Sequence, residues 1–257
     1  MPVSVPSFLR RPAGVAIAAA AALVLAGCNP APEGVEFWDP FEDQNRAVHA
    51  ENQALDRMFV SGAASGYGEA VPAPVRRGVS NFARNAGTPS DMVNSLLQGR
   101  IEAAGANFFR FVLNTTVGIG GVFDFAGALG IDPRRTDFGE TLHVWGAPEG
   151  AYLELPVLGP TTERDVAGRV VDFAIDPLNA VRPTSTRLRL RGARLGARVA
   201  ARIGDRDEYS DFYEALIDES AESYVQTRAL FLQYRRFQLG MTAEPEPFDP
   251  YEDLYGD

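Results

Sequence analysis

Residues 90–126 read SDMVNSLLQGRIEAAGANFFRFVLNTTVGIGGVFDFA, and this stretch decides the fold class. Ser90 and Asp91 can cap a helix that runs through Phe111 or Leu113. Met92, Val93, Leu96, Leu97, Ile101, Ala104 and Phe108 recur at three- and four-residue steps, as an amphipathic helix requires. Phe109, Phe111, Val112 and Leu113 broaden the apolar surface near its end. Behind it, 117–129 is apolar and glycine-rich. Gly118, Gly120 and Gly121 permit close backbone approach or a bend there. The apolar stripe suits a buried core or a lipid-facing surface, and periodicity does not distinguish the two.

Outward from this stretch the pattern stays mainly helical. Toward the amino end, 75–85 reads as a short helix, 63–74 as a small-residue connection that can hold short helical pieces, and 41–59 as a helix. Asp39-Pro40 is suited to start that helix, with Asp as cap and Pro at the first helical position. Toward the carboxyl end, 138–145 and 151–158 are short helical or extended pieces. Thr161-Thr162-Glu163-Arg164-Asp165 opens a helix over 163–174. Residues 207–238 form the longest late helical candidate. Residues 182–206 hold eight Arg and one acid, Asp205. That stretch either faces anionic head groups or an acidic partner, or pairs with the acid-rich remainder. With no long linker and no repeat, 37–238 is read as one domain. A tail from 239 to 257, acidic and rich in Pro, is read as flexible.

Composition excludes several function classes. The 257-residue, 27.8 kDa chain carries a formal charge of -10, a poor balance for holding a polyanion, so no nucleic acid is expected. All 24 basic residues are Arg, which removes Schiff-base lysine chemistry and a Walker lysine. One Cys and two His leave no disulfide and no Cys/His zinc site. His49 and His143 belong to no ligand-spaced cluster. Gly118-Ile119-Gly120-Gly121 lacks the spacing and preceding strand of a dinucleotide motif. Gly-x-Ser-x-Gly does not occur. Asp39, Asp43, Asp124, Asp132, Asp165 and Asp176 stand by Pro, Gly or helix ends and read as caps. Catalytic residues, metals and cofactors are therefore all expected to be none.

The amino terminus reads as an address. Arg10-Arg11 precedes an uncharged, mostly apolar run of 15 residues, Ala13 to Gly27. That is short for a bilayer crossing and has the order of a secretory signal. It ends Leu25-Ala26-Gly27-Cys28, which resembles a bacterial lipobox. Cleavage between Gly27 and Cys28 would remove 1–27 and leave Cys28 as a lipidated (palmitate-bearing) amino terminus on a 28–36 tether. A non-lipidated signal and a retained anchor are the alternatives. Asn29 after the Cys favours export to the outer membrane by resemblance to lipoprotein sorting.

Several ordered motifs make the resemblance specific: Asp39-Pro40-Phe41-Glu42-Asp43-Gln44-Asn45-Arg46, VPAPVRRGVSNFARN at 71–85, VNSLLQGR at 93–100, RFVLNTTVGIGGVFDFA at 110–126 and DFGETLHVWGAPEGAYLELPVLGPTTERDVAG at 137–168. With the lipobox and the aromatic and Arg-bearing 209–236 segment, the chain resembles the MlaA (VacJ) family of outer-membrane phospholipid-transport lipoproteins. The family's usual Gly-Phe-Asn-Arg is Asp43-Gln44-Asn45-Arg46 here, and its Gly-Pro-Tyr is Gly150-Ala151-Tyr152.

The resemblance implies an all-α fold: a single membrane-embedded helical ring in the periplasmic leaflet with an amphipathic central channel. It implies retrograde removal of mislocalised phospholipid from the outer leaflet, maintaining lipid asymmetry. Implied partners are phospholipid, an MlaC-like periplasmic carrier, a trimeric porin and, indirectly, an inner-membrane ATP-driven MlaFEDB-like complex. Gly118, Gly120, Gly121 and Phe123 are channel or hinge candidates. Asp39, Pro40, Asn45, Arg46, Asn81, Asn94, Asn114, Asp137 and Trp145 are family-motif residues that shape the fold. Two other readings remain: a structural porin-associated lipoprotein without transport, and a periplasmic lipid hydrolase.

Overall fold

The computed structural model describes residues 30–180, 185–215 and 222–241. The expected signal, Gly27, Cys28 and almost all of the acidic tail lie outside the described residues. Helix α1 (Glu42–Leu55) runs through a π-helical turn at Asp56–Val60 directly into α2 (Ser61–Ala70). The small-residue stretch, expected as a connection with short helical pieces, is helical for most of its length. Helices α3 (Ala73–Asn85), α4 (Thr88–Leu97) and α5 (Ile101–Thr116) follow, then the single turn α6 (Phe125–Ala128) and α7 (Phe138–Val144). Strands β1 (Tyr152–Leu155) and β2 (Gly159–Thr162) form an antiparallel hairpin. Helices α8 (Glu163–Ile175), α9 (Pro177–Ala180), α10 (Ser185–Glu208), α11 (Ser210–Tyr213) and α12 (Ser223–Gln238) complete the described chain.

Local chemistry accounts for several boundaries. The helix expected over 90–113 is two helices, because Gly99 at φ 74° ends the first in a left-handed residue. Thr162 caps α8 by accepting from the Asp165 N–H at 3.3 Å, as its sequence suggests. Asp39 does not cap α1, whose cap position is Phe41. Helix α7 meets α8 through Gly139 and Gly168, where an added Cβ on Gly168 would come within 2.3 Å of the Gly139 backbone nitrogen.

The buried apolar core is small. Phe138, Leu142 and Ala147 pack with Ala167, Val171 and Ile175 between α7 and α8. Tyr152, Tyr224 and Leu232 pack with Phe37, Val225 and Phe231 between the hairpin and α12. Much of the remaining interior is polar and mutually bonded.

The expected membrane-embedded ring with a central channel is corrected by the structure. Mainly helical it is, with the β1–β2 hairpin in addition. Among the described residues no helix is long and apolar enough to cross a membrane. Helix α5 has 16 residues, about 24 Å at roughly 1.5 Å each, against a hydrocarbon core of about 30 Å. Helix α10 has 24 residues but is crowded with arginine. Nor do the described helices close into a ring: α4 packs on α5, α7 on α8, and α10 across α2 and α3.

Helix α10 also divides the basic stretch. Arg194 meets Asp176 at 2.5 Å and Arg206 meets Asp56 at 2.9 Å, so part of it pairs inward. Arg189, Arg198 and Arg202 are exposed.

Candidate functional site: a polar cavity behind an apolar face

Helix α5 is inside out. Ile101, Phe108, Phe109 and Val112 are exposed, at positions seven, one and three residues apart that share one helical face. Ala104, Asn107, Arg110 and Asn114 face inward and are buried. The neighbouring elements follow suit: Leu96, Leu97, Val117, Ile119, Phe123 and Leu129 are also exposed. Exposed apolar side chains in this number mark a surface that meets something other than water.

Behind α5 lies a cavity of about 170 Å³. Its wall is made by Asn81, Arg84 and Asn85 of α3, Thr88 and Asp91 of α4, Asn107, Arg110 and Asn114 of α5, and Asp124, Pro133 and Arg135 of the following loops. Arg110 spends its charge inside the wall: Nη2 donates to Asp124 at 2.9 and 3.0 Å, and Nη1 donates to the Ile131 carbonyl. Asn114 donates to Asp124 at 2.9 Å and accepts from the Ala126 N–H at 2.8 Å. Burial alone would raise the Asp124 carboxyl, but bonds from the Gly127 N–H, Asn114 and Arg110 hold it below its ordinary value. Asp91 is the opposite case. Burial pushes it up to about 7, against a bond from the Thr136 N–H.

The glycine segment forms a rim beside the cavity wall, against Asn85. Ile119, Gly120 and Gly121 stand at φ 52°, 71° and 96°, three successive left-handed residues. The turn is bonded from end to end, with Gly120 N–H to Thr115 O at 2.9 Å and Phe123 N–H to Gly118 O at 2.9 Å. A Cβ on Gly121 would lie 2.5 Å from the Asn85 side chain, and one on Gly118 would lie 2.2 Å from Phe123 O. One on Gly120 would meet open space. Asn81 ties this rim to α3 by donating to Val122 O at 3.0 Å.

The other motif residues sit elsewhere and act as ties. Asn45 bonds like a strand edge, donating to Tyr152 O at 3.1 Å and accepting from the Glu154 N–H at 2.9 Å. Asp39, just before Pro40, accepts from Asn45 at 2.8 Å, from Arg228 at 2.6 Å and from the Tyr224 hydroxyl. Arg46 lies over the Tyr224 ring and pairs with Glu42. Asn94, fully buried, donates to Asp172 at 2.6 Å and accepts from Thr141 at 3.0 Å. Asp137 caps α7 through the Glu140 N–H at 2.8 Å and accepts from Arg235 at 2.7 Å. Trp145 donates to Leu97 O at 3.1 Å and stacks edge-on against Phe138.

A family model described as MlaA lipoprotein matches residues 37–238. The chain belongs to the MlaA lipoprotein family. It is 34% identical over 196 residues to an uncharacterised protein of Rickettsia felis, covering 76% of this chain and 75% of that one. It is 33% identical over 204 residues to the intermembrane phospholipid transport system lipoprotein MlaA of Shigella flexneri, covering 77% of each. The Haemophilus influenzae protein of the same name is 39% identical over 160 residues, 60% of this chain and 64% of that one. A solved structure from work on the structural basis for maintenance of bacterial outer membrane lipid asymmetry superposes with a TM-score of 0.66 at 32% identity, covering 78% of this chain and 98% of that one.

Within this MlaA-family chain, sequence reading found two cavity residues, Asn81 and Asn114, and missed most of the rest. A signal existed: Asn107, Arg110 and Asn114 repeat at helical spacing inside an otherwise apolar helix. A second missed cluster joins α1, β1 and α12. His49 has Nδ1 3.5 Å from Glu154 Oε1 and Nε2 3.3 Å from Ser223 Oγ, while Gln53 donates to Ser223 Oγ at 2.8 Å. Among the described residues no three His, Cys, Asp or Glu side chains gather as a metal site.

Proposed function

We propose that this chain is a lipid-anchored lipoprotein of the outer membrane that helps maintain lipid asymmetry by removing mislocalised phospholipid and passing it intact to an MlaC-like periplasmic carrier. The direction is retrograde, toward an inner-membrane ATP-driven MlaFEDB-like complex. A trimeric porin is its partner in the membrane. Cys28, freed by cleavage after Gly27, carries the acyl chains. The folded part sits in the periplasmic leaflet without crossing it.

The inside-out helix α5 carries this reading. A phospholipid needs an apolar surface for its chains and a polar enclosure for its head. Ile101, Phe108, Phe109 and Val112 offer the first, and the cavity behind Asn107, Arg110 and Asn114 offers the second. Family membership and the names of the relatives support a part in phospholipid transport, and the direction and partners are those the family resemblance implies.

The test is reconstitution of the lipidated chain with porin in asymmetric vesicles carrying labelled phospholipid in the outer leaflet. Intact label should reach added carrier, and loss should require this chain. Porin binding without transfer would leave a structural lipoprotein instead. Released fatty acid or head group would make it a hydrolase.

A further inference from the structure

The cavity behind α5 holds two guanidinium groups that make no direct ion pair among the described residues. Arg84 donates to the neutral Asn81 Oδ1 at 2.6 Å and makes no ion pair among the described residues. Arg135 has neither a hydrogen bond nor an ion pair there, although it lines the same wall. The third cation, Arg110, is neutralised by Asp124 at 2.9 Å. The remaining acid, Asp91, accepts from the Thr136 N–H at 3.5 Å and feels the charge of Arg135 without pairing directly with it. The wall therefore carries three guanidinium groups against two carboxylates, one cation in excess.

Size and a third group narrow the ligand. At about 170 Å³ the space is below the roughly 300–1,000 Å³ of pockets that enclose a whole small molecule. A two-chain lipid does not fit, but a head group does. Asn85, which lines the cavity and is 6% exposed, has its Oδ1 buried without a partner. A phosphate has no proton to give that oxygen. The ammonium or hydroxyl of a head group does.

We propose that Arg84 and Arg135 hold the phosphodiester of a lipid head group in this cavity, with the acyl chains outside against the exposed residues of α5. The guanidinium fork matches two non-bridging phosphate oxygens, which an ammonium point charge does not. Recognition is then of the phosphodiester, common to many phospholipids, with Asn85 contacting whatever alcohol it bears. This rests on the phospholipid reading above and adds which residues select the lipid.

The test uses the purified full-length lipoprotein in detergent. It compares binding of fluorescent phosphatidylglycerol with that of diacylglycerol bearing the same chains. Wild type should prefer the phospholipid by roughly tenfold or more, as charge-assisted bonds of this kind provide. Arg84→Gln/Arg135→Gln should erase the preference while diacylglycerol binding stays the same, and the double Lys variant should restore part of it. Both side chains are exposed, so folding should be unaffected. If the double Gln variant does not fold, Arg135→Gln alone is read in the same way. A preference that survives the Gln variants, or is absent from wild type, overturns the proposal. Displacement by inorganic phosphate as readily as by phosphatidylglycerol overturns the head-group assignment in favour of a free-phosphate site. Carrier transfer separates the two readings. Wild type that binds through these arginines but transfers nothing sinks transport alone, whereas unchanged transfer and binding in the variant sinks the anchor alone.

Discussion

Helices α5 and α12 each have 16 residues and each buries an arginine, yet they serve different ends. In α12, Arg235 is used wholly inside the fold. Its Nε and Nη2 reach both oxygens of Asp165 at 2.9 Å, and Nη2 also reaches Asp137 at 2.7 Å. Around it, Tyr224 and Leu232 make an ordinary apolar core with the hairpin. In α5 the apolar side chains point out and the amides point in. The cavity they help to form leaves Arg84 and Arg135 without a direct ion pair among the described residues. One region satisfies its polar groups to fix the fold. The other leaves cations and apolar surface unsatisfied, as a surface for lipid would.

The largest break in this contrast should come from Arg235→Ala. It leaves Asp165 buried with only the more distant Arg164 at 3.8 Å and takes a partner from Asp137, so a loss of about 3–5 kcal/mol is expected in urea unfolding. A loss below about 1 kcal/mol would mean that α12 is not the tie described here.

The rim glycines come next. Gly121→Ala sets a Cβ 2.5 Å from Asn85 at φ 96° and should destabilise by about 1–3 kcal/mol or more. Gly120→Ala meets open space and should cost about 1 kcal/mol through its left-handed backbone alone. Equal losses at the two would remove the packing argument. Gly120 is therefore the position at which to test whether bending of the rim matters for lipid passage, because folding survives the substitution.

Asp91 gives a smaller, pH-dependent effect. Its folded value is raised from 3.8 to about 7 by burial, so its contribution is fully present below pH 3.8 and is lost as pH rises through about 7. Facing it are the Thr136 N–H, Arg135, Asp172, Asp137 and Arg198. Asp91→Asn keeps the acceptor and removes the charge. Its melting temperature should therefore gain on wild type as pH goes from 5 to 8, measured by circular dichroism. A gap that shrinks over this range would reverse the sign.

The smallest stability change should come from Phe109→Ser/Phe123→Ser, within about 0.5 kcal/mol per site, because both rings are exposed. Flotation with vesicles should fall in the same variant. Unfolding in place of lost membrane association would return these rings to the core.

Much of the fold was legible in local signals. Thr162 caps α8 where its sequence places a cap, and α3 lies close to its expected span. Other features were hidden because their causes are distant in the chain. Gly99 splits one apolar stripe into two helices by its backbone conformation. Asp39 reads as a cap for α1, but is held by Arg228, 189 positions away. Among the site residues, Asn81 and Asn114 stood inside recognisable motifs. Arg84 stood in the same motif as Asn81 but was one of 24 arginines, and Arg135 had no motif to mark it.

By itself, the sequence determined the helical class, the family and the absence of lysine and disulfide chemistry, since residue type, spacing and motif order are local properties. It did not determine which side of α5 meets the interior. Ile101, Phe108, Phe109 and Val112 make the same periodic stripe whether they face a core or a membrane. Tertiary structure decided that by setting Asn107, Arg110 and Asn114 against α3 and the 124–135 loop. Bonding these polar groups inside fixes the helix with its apolar face outward.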